Sequence, residues 1–332
     1  MASASLQKGM KLLGESGRAY VLIAPLGQRK MPNVWKVTYP DNDDCQFIIK
    51  YPQFDDSPET QWPAFQKEMD MQNLFRNAKF IRKMVDTVPS RSDSELPNMV
   101  LEPFEKTLWT SRTRRPLTLR EIKHSMKWAL LGLQEIHQQG LVYCDFKMEN
   151  VLVNGFDDAN PATNDPKVPL MLQVKLGDLG SVMAPDRGEV TSISYRSPEV
   201  YLGKSWTSAV DIWAWGIAYF HLLQAQVNFA SIGIYDNIIK GTLEQKESAI
   251  RRAQCYDFNI RSVEYFKDCN IPTIEGDGAK GGLDSDEHWT DVSVDLGISE
   301  HEILFLHTVL EPDPTKRLTA TQILDLGHLD VY

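Results

Sequence analysis

The stretch Tyr143-Cys144-Asp145-Phe146-Lys147-Met148-Glu149-Asn150, followed by the apolar triplet Val151-Leu152-Val153, decides the reading of this chain. An aspartate, a lysine two residues on and an asparagine five residues on place a general base, a cation and a metal-ligating amide on one loop before a short buried strand. Phosphoryl transfer needs this equipment, because the protein's part in it is positioning and electrostatic stabilisation rather than covalent chemistry. Downstream, Lys175-Leu176-Gly177-Asp178-Leu179-Gly180 ends another apolar run with a second aspartate, and the following glycine lets the chain turn sharply. Together the two motifs are far more specific than either is alone.

Composition is compatible with such an enzyme. At 332 residues the chain is long enough for one two-lobed unit or two domains. It carries 45 acidic and 35 basic residues, a formal charge of −10, which argues against nucleic acid or an anionic membrane as the main partner and favours a basic substrate. Cys45, Cys144, Cys255 and Cys269 are widely spaced with no C-x-x-C pair, as expected for reduced thiols in the cytoplasm or nucleus rather than a disulfide or zinc framework. No apolar run reaches the roughly 18 residues of a membrane span, and residues 1–9 lack the apolar core of a signal peptide.

Asp145 to Asn150 resembles part of the H-R-D-L-x-x-x-N catalytic loop of the eukaryotic protein kinases, and Asp178-Leu179-Gly180 resembles their D-F-G. The resemblance spans roughly residues 20–326. It implies an α+β, two-lobed fold with ATP and Mg2+ in the cleft: a flexible N-terminal segment (1–17), a small β-rich N-lobe with its hinge (18–103) and a larger, mainly helical C-lobe (104–332). By the same resemblance Asp145 orients the substrate hydroxyl and accepts its proton, and Lys147 neutralises charge on the transferred group. Asn150 and Asp178 then form an all-oxygen magnesium site.

The N-lobe reads as strands over 20–26, 33–39, 45–51, 80–88 and 98–101. The family's hairpin tip is G-x-G-x-x-G-x-V; here Gly27 and Val34 match, while Arg29 and Pro32 hold the second and third glycine positions. Side chains there keep the backbone from a phosphate, and Pro32 also removes a donor. Lys50 resembles the V-A-I-K lysine that meets the α and β phosphates, with Ile48 in the alanine position narrowing the adenine slot. On a helix predicted over 63–75, Glu68 resembles the glutamate that orients this lysine, and Asp70 and Glu59 are near enough to leave the register open. Glu102-Pro103-Phe104 resembles the hinge that meets the adenine edge, with Leu101 as gatekeeper.

In the C-lobe, Thr118 and Glu121 form a capping box for a helix that stops at Gly140. Residues 154–169, rich in Asn, Asp and Pro, read as a disordered surface insertion. Cys144 stands where the family has the arginine that pairs with a phosphorylated activation segment, so dependence on such a phosphate is not expected. Ser192 to Val200 resembles the T-x-x-Y-R-A-P-E signature of the CMGC group, which implies that Ser192 bonds Asp145 and Lys147 and that Glu199 pairs with Arg317. Residues 208–223 read as a buried helix whose one acid, Asp211, resembles the family's D-x-W aspartate supporting the catalytic loop; His221 reads as a core residue. Helices are also predicted over 235–253, 300–309 and 319–326. The function implied is ATP-dependent phosphorylation of a serine or threonine in a protein. A pseudokinase scaffold with weak or no nucleotide binding and a kinase-fold enzyme acting on a small molecule are the alternatives.

Overall fold

The sequence sorts into a strand-rich first third and a helix-rich remainder, and the structure, a computed structural model, divides accordingly. It describes residues 6–27, 33–52, 58–90, 97–163, 165, 167–236, 238, 241–272, 282–283 and 287–331. One unit comprises Met1–Glu105 with Gly177–Gly180, the other Lys106–Leu176 with Ser181–Tyr332.

In the first unit, β1 (Lys11–Leu13), β2 (Ala19–Pro25), β3 (Val34–Tyr39), β4 (Asn42–Lys50), β5 (Met84–Val88) and β6 (Asn98–Leu101) form an antiparallel sheet in the order β1-β2-β3-β4-β6-β5, and α1 (Pro58–Leu74) follows β4 in sequence. Alternation along the strands sends Tyr20, Leu22, Trp35, Val37, Ile49 and Val100 into one apolar cluster. Ile48, Met99 and Leu101 form another cluster with Phe65 and Met69 of α1, and Val34 packs against it. Val34 pairs with Lys50 and Ile48 with Leu101, so Val34, Ile48 and Lys50 share the face toward α1. A one-residue slip would bury the wrong set, which fixes the register.

Two expectations change here. The segment expected to be flexible over 1–17 is structured from Leu6: Leu12 is buried opposite Tyr20, Glu15 donates its N–H to Thr87 O at 2.8 Å, and Ser16 bonds the Asp86 carboxylate. The short alternating run Lys11-Leu12-Leu13 closes an edge that β2 would otherwise expose. The strand expected from 80 begins at Met84, and just before it Arg82 Nε donates to Glu102 O at 2.7 Å. Arg29 and Pro32 lie outside the described residues.

The second unit opens with β7 (Lys106–Thr107) and α2 (Leu108–Arg112), then α3 (Leu119–His137). The Thr118–Glu121 capping box is present, and Ile122, Met126, Ala129, Leu130, Leu133 and Ile136 are fully buried. β8 (Val151–Asn154) and β9 (Gln173–Leu176) extend β7 into a small sheet, and β10 (Asp186–Arg187) pairs with β11 (Ser205–Trp206) around α4 (Pro198–Tyr201). Every residue of α5 (Ala209–Val227) from Ala209 to Ala225 is buried, and Trp215 Nε1 donates to Met126 O at 2.9 Å, tying α5 to α3. α6 (Leu243–Asp257), α7 (Trp289–Asp295), α8 (Glu300–Val309) and α9 (Ala320–Asp325) complete it. The helix expected from 235 starts at Leu243, where Thr242 and Gln245 form a capping box.

The insertion expected to be disordered is held down. Arg115 stacks 4.3 Å over Phe156, pairs with both Glu121 oxygens at 2.8 and 2.7 Å and donates to Asp157 O, while Arg120 donates to Thr163 O and Val168 O. Among the described residues, no helix is long and apolar enough to cross a membrane.

Candidate functional site

The expected site residues fall into two clusters, one in each unit. In the first unit, β4 delivers Lys50 to α1, where Nζ donates to both Glu68 oxygens at 2.7 and 2.6 Å. Glu68 is 5% exposed and is the α1 carboxylate that meets Lys50 among the described side chains. Burial pushes the Glu68 carboxyl above its ordinary range; the Lys50 ammonium opposes that rise and the Asp178 carboxylate adds to it. Asp178 Oδ1 lies 3.7 Å from Lys50 Nζ and accepts the Gly180 N–H at 3.2 Å. Asp178 itself sits in the left-handed region at φ 43. A Cβ on Gly180 would stand 3.2 Å from Asp178 Oδ1 and 3.6 Å from Glu68 Oε2, so glycine lets the turn close over both acids.

The remaining first-unit residues are placed less uniformly. Gly27 has φ +89 with open space around it, so glycine serves backbone conformation there rather than clearance. Val34 and Ile48 line the face that carries Lys50. The Glu102 backbone is already engaged: its N–H donates to Lys83 O at 2.9 Å and its carbonyl accepts Arg82 Nε at 2.7 Å. The half-buried Phe104 follows two residues on.

In the second unit, the residues expected to form the catalytic loop surround one carboxylate. Lys147 Nζ donates to Asp145 Oδ2 at 2.7 Å, Asn150 Nδ2 donates to the same oxygen and to Asp145 O at 2.9 Å each, and Ser192 Oγ donates to Oδ1 at 3.4 Å. With its amide nitrogen committed twice, Asn150 presents its amide oxygen as the acceptor. That oxygen in this unit and the half-exposed Asp178 carboxylate in the other are hard donors of the type magnesium takes, so the residues present fit the metal by donor chemistry.

The loop is aimed from behind. Cys144 is left-handed at φ 66; its N–H donates to Asp211 Oδ1 at 2.9 Å and its carbonyl accepts the Thr191 N–H at 3.0 Å. Asp211 Oδ2 accepts the Tyr143 N–H and bonds His137 Nε2, both at 2.8 Å. Asp211 was legible as the lone acid on an apolar helix. His137 and the Thr191 N–H were not, because neither type carries a signal without its partner. Arg196 is buried and bonds Val190 O and Glu247, and Arg317 pairs with Glu199 at 2.8 and 3.1 Å. His221 is buried and accepts Arg112 Nε at 3.1 Å.

His301, Glu302 and His328 bring potential metal ligands within 4.8 Å of one another. The buried Glu302 carboxylate is already engaged there by Lys123 Nζ at 2.8 Å, His328 Nε2 at 2.8 Å and the Tyr219 hydroxyl at 2.6 Å, while His301 is exposed.

Comparison with known proteins follows this geometry. The model of the protein kinase domain matches residues 20–328. The chain is 28% identical to cyclin-dependent kinase E-1 of Arabidopsis thaliana over 60% of its own length and 42% of that protein. It is 28% identical to the serine/threonine-protein kinase AFC3 of the same plant over 57% of its length and 52% of that protein. With cyclin-dependent kinase 4 of Xenopus laevis it shares 29% identity over 48% of its length and 49% of that protein. The chain thus spans about half the length of these relatives. Among solved structures, one from the CAK complex of Chaetomium thermophilum bound to ATP-γ-S superposes with a TM-score of 0.68 at 18% identity, covering 92% of this chain and 89% of that one. It has the same two-lobed α+β fold, with a curled β-sheet N-lobe and a helical C-lobe.

Proposed function

Because the chain belongs to the protein kinase family, we propose that it is an active serine/threonine protein kinase, transferring the γ-phosphoryl group of ATP to a protein hydroxyl with the help of Mg2+. The observation that supports this most is the convergence of Lys147, Asn150 and Ser192 on the Asp145 carboxylate in one unit, together with an intact Lys50–Glu68–Asp178 cluster within the other. A chain with no use for a nucleotide and a metal has no chemical reason to hold Lys50, Glu68, Asp145, Lys147, Asn150 and Asp178 together. The nucleotide–metal complex supplies the phosphoryl group. Asp145 then accepts the proton of the incoming hydroxyl, Lys147 offsets charge on the transferred group, Asn150 and Asp178 hold the metal, and Lys50, oriented by Glu68, binds the phosphates. Val34 and Ile48 form the apolar surface for the adenine and Phe104 serves its edge, while Gly27 opens the phosphate-facing hairpin.

Cys144, buried and bonded through both backbone groups, takes the place of the phosphate-reading arginine. The activation segment is held instead by the Thr191 N–H on Cys144 O and by Arg196 on Glu247. Activity should therefore survive phosphatase treatment. The charge of −10 favours basic substrate proteins in the cytoplasm or nucleus.

One pair of observations favours the scaffold reading: Ile48 fills the alanine position and the Glu102 backbone is already engaged. Calorimetric titration with ATP, with and without Mg2+, on wild type and Asp178→Ala separates the two. Magnesium-dependent binding that disappears in Asp178→Ala is the result expected of the enzyme. No response to nucleotide in either protein would leave the scaffold.

A further inference from the structure

Helices α7 and α8 form a tight hairpin, turned at Gly297 (φ +99) and closed by the Ile298 N–H on Ser293 O at 3.1 Å. Trp289, Ile298, Ile303 and Leu306 are buried and anchor it, so its outer surface is rigid before any ligand arrives. On α7, Asp291, Val294 and Asp295 recur at i, i+3 and i+4; on α8, Glu300, Leu304 and His307 recur at i, i+4 and i+7. Each set is one helical face, and the two faces line a groove of about 460 Å³. Leu304 is 61% exposed in it and Val294 39%, with Leu296 at 59% in the adjoining turn. The groove therefore sets the open Val294 and Leu304 side chains among three acidic ones, an apolar and anionic combination concentrated between two rigid helices.

We propose that this groove docks a basic amphipathic helical peptide segment of a partner protein, its leucine-sized side chains meeting Val294 and Leu304 and its lysines or arginines pairing with Asp291, Asp295 and Glu300. The charge selects this occupant. A second copy of the chain carries the same net −10 and would set like charge against Asp291, Asp295 and Glu300, whereas a basic segment complements them. The two facing helices suit a third helix laid along them, the helix-in-groove mode of recognition. No groove residue belongs to the catalytic loop, so docking is measured independently of catalysis.

The test selects phage-displayed random dodecapeptides on the immobilised 332-residue chain and measures the affinity of the recovered peptides by fluorescence anisotropy. Peptides rich in Lys and Arg, with Leu, Ile or Phe at a spacing of three or four, are expected. Their affinity should fall at least tenfold for Asp291→Lys/Asp295→Lys and for Leu304→Glu, and also on raising the salt. These substitutions are at exposed positions, and an unchanged melting temperature confirms folding. Failure to enrich such peptides, equal binding to wild type and both variants, or a concentration-dependent dimer that Leu304→Glu converts to monomer would overturn the proposal.

Discussion

The Asp211 carboxylate accepts the Cys144 backbone N–H at 2.9 Å and thereby holds a non-glycine residue in the left-handed region at φ 66, immediately before Asp145. Such a conformation costs on the order of 1–3 kcal/mol and persists only where its surroundings fix it. The same carboxylate serves Tyr143 N–H and His137, so Asp211→Asn must set an amide N–H against one of these donors. We expect a loss of about 2–4 kcal/mol in urea denaturation and a fall in kcat of roughly tenfold or more as the loop loses its aim. An Asp211→Asn protein with unaltered kcat would show that the loop keeps its shape unaided.

Glu199 and Arg317 are both fully buried as side chains, and Arg317 also donates to Glu311 O, Ala209 O and Pro312 O. Breaking such a pair from one side leaves a buried charge alone. Glu199→Gln or Arg317→Met should each cost about 3–5 kcal/mol, and the double variant less than the sum. A double-mutant cycle in denaturant that proves additive would place the energy in the Arg317 carbonyl contacts instead.

Two acids give opposite pH slopes. At Glu302, burial raises the carboxyl, but the hydrogen bonds from His328, Lys123 and Tyr219 outweigh it and bring it down to about 2, from an ordinary 4.5. Its contribution is therefore complete above pH 4.5 and is lost as the pH falls through about 2. Asp257 is raised from 3.8 to about 6 by burial, which the Gly282 N–H and the Tyr235 hydroxyl only partly offset. Its contribution is complete below pH 3.8 and is lost as the pH rises through about 6. Denaturation midpoints from pH 2 to 8 should thus show Glu302→Gln flattening the acid limb and Asp257→Asn flattening the decline between pH 4 and 6. Unchanged slopes in either variant would sink the corresponding assignment.

What the sequence discloses follows the range of the interactions. Asp145, Lys147 and Asn150 sit within six residues, so their chemistry shows as spacing, and Asp211 stands out because an acid on so apolar a helix needs a reason. The Lys50–Glu68 pair was legible in part, as a lysine ending an apolar strand before a predicted helix, but which carboxylate meets it depends on how that helix packs on the strand, which spacing does not give. β1 was missed because three residues make a strand only against Tyr20, and α7 because seven residues with two acids carry little helical period. The insertion at 154–169 was misread as disordered, since loop composition does not reveal that Arg115 and Arg120, some forty residues earlier, take its carbonyls.

That insertion gives its own prediction. Arg115→Ala removes the stack on Phe156, the bidentate pair with Glu121 and the bond to Asp157 O. Amides of residues 156–163 should exchange with deuterium at least tenfold faster, roughly 1.4 kcal/mol of local opening, while those of α5 hold their protection. Protection unchanged at 156–163 would mean that Arg120 and Lys106, which bonds Asp158, hold the segment by themselves.

Ile48 allows stability and nucleotide affinity to be driven apart. Its side chain is 8% exposed and packs with Phe65, Met69, Met99 and Leu101, on the strand face that also carries Lys50. Truncation to alanine leaves a cavity among those residues and should cost about 2–4 kcal/mol in chemical denaturation. If the same side chain crowds the adenine, Ile48→Ala should at once tighten ATP in the presence of Mg2+ by roughly tenfold, ~1.4 kcal/mol. A variant that is less stable yet binds nucleotide better has no explanation in general loosening, because loosening the sheet would also disturb Lys50 against Glu68 and weaken the grip on phosphate. Calorimetry on the folded fraction of both proteins reads the two signs separately. Weaker ATP binding in Ile48→Ala would show that this isoleucine builds the nucleotide surface rather than obstructing it, and would remove the chief argument for an inactive scaffold.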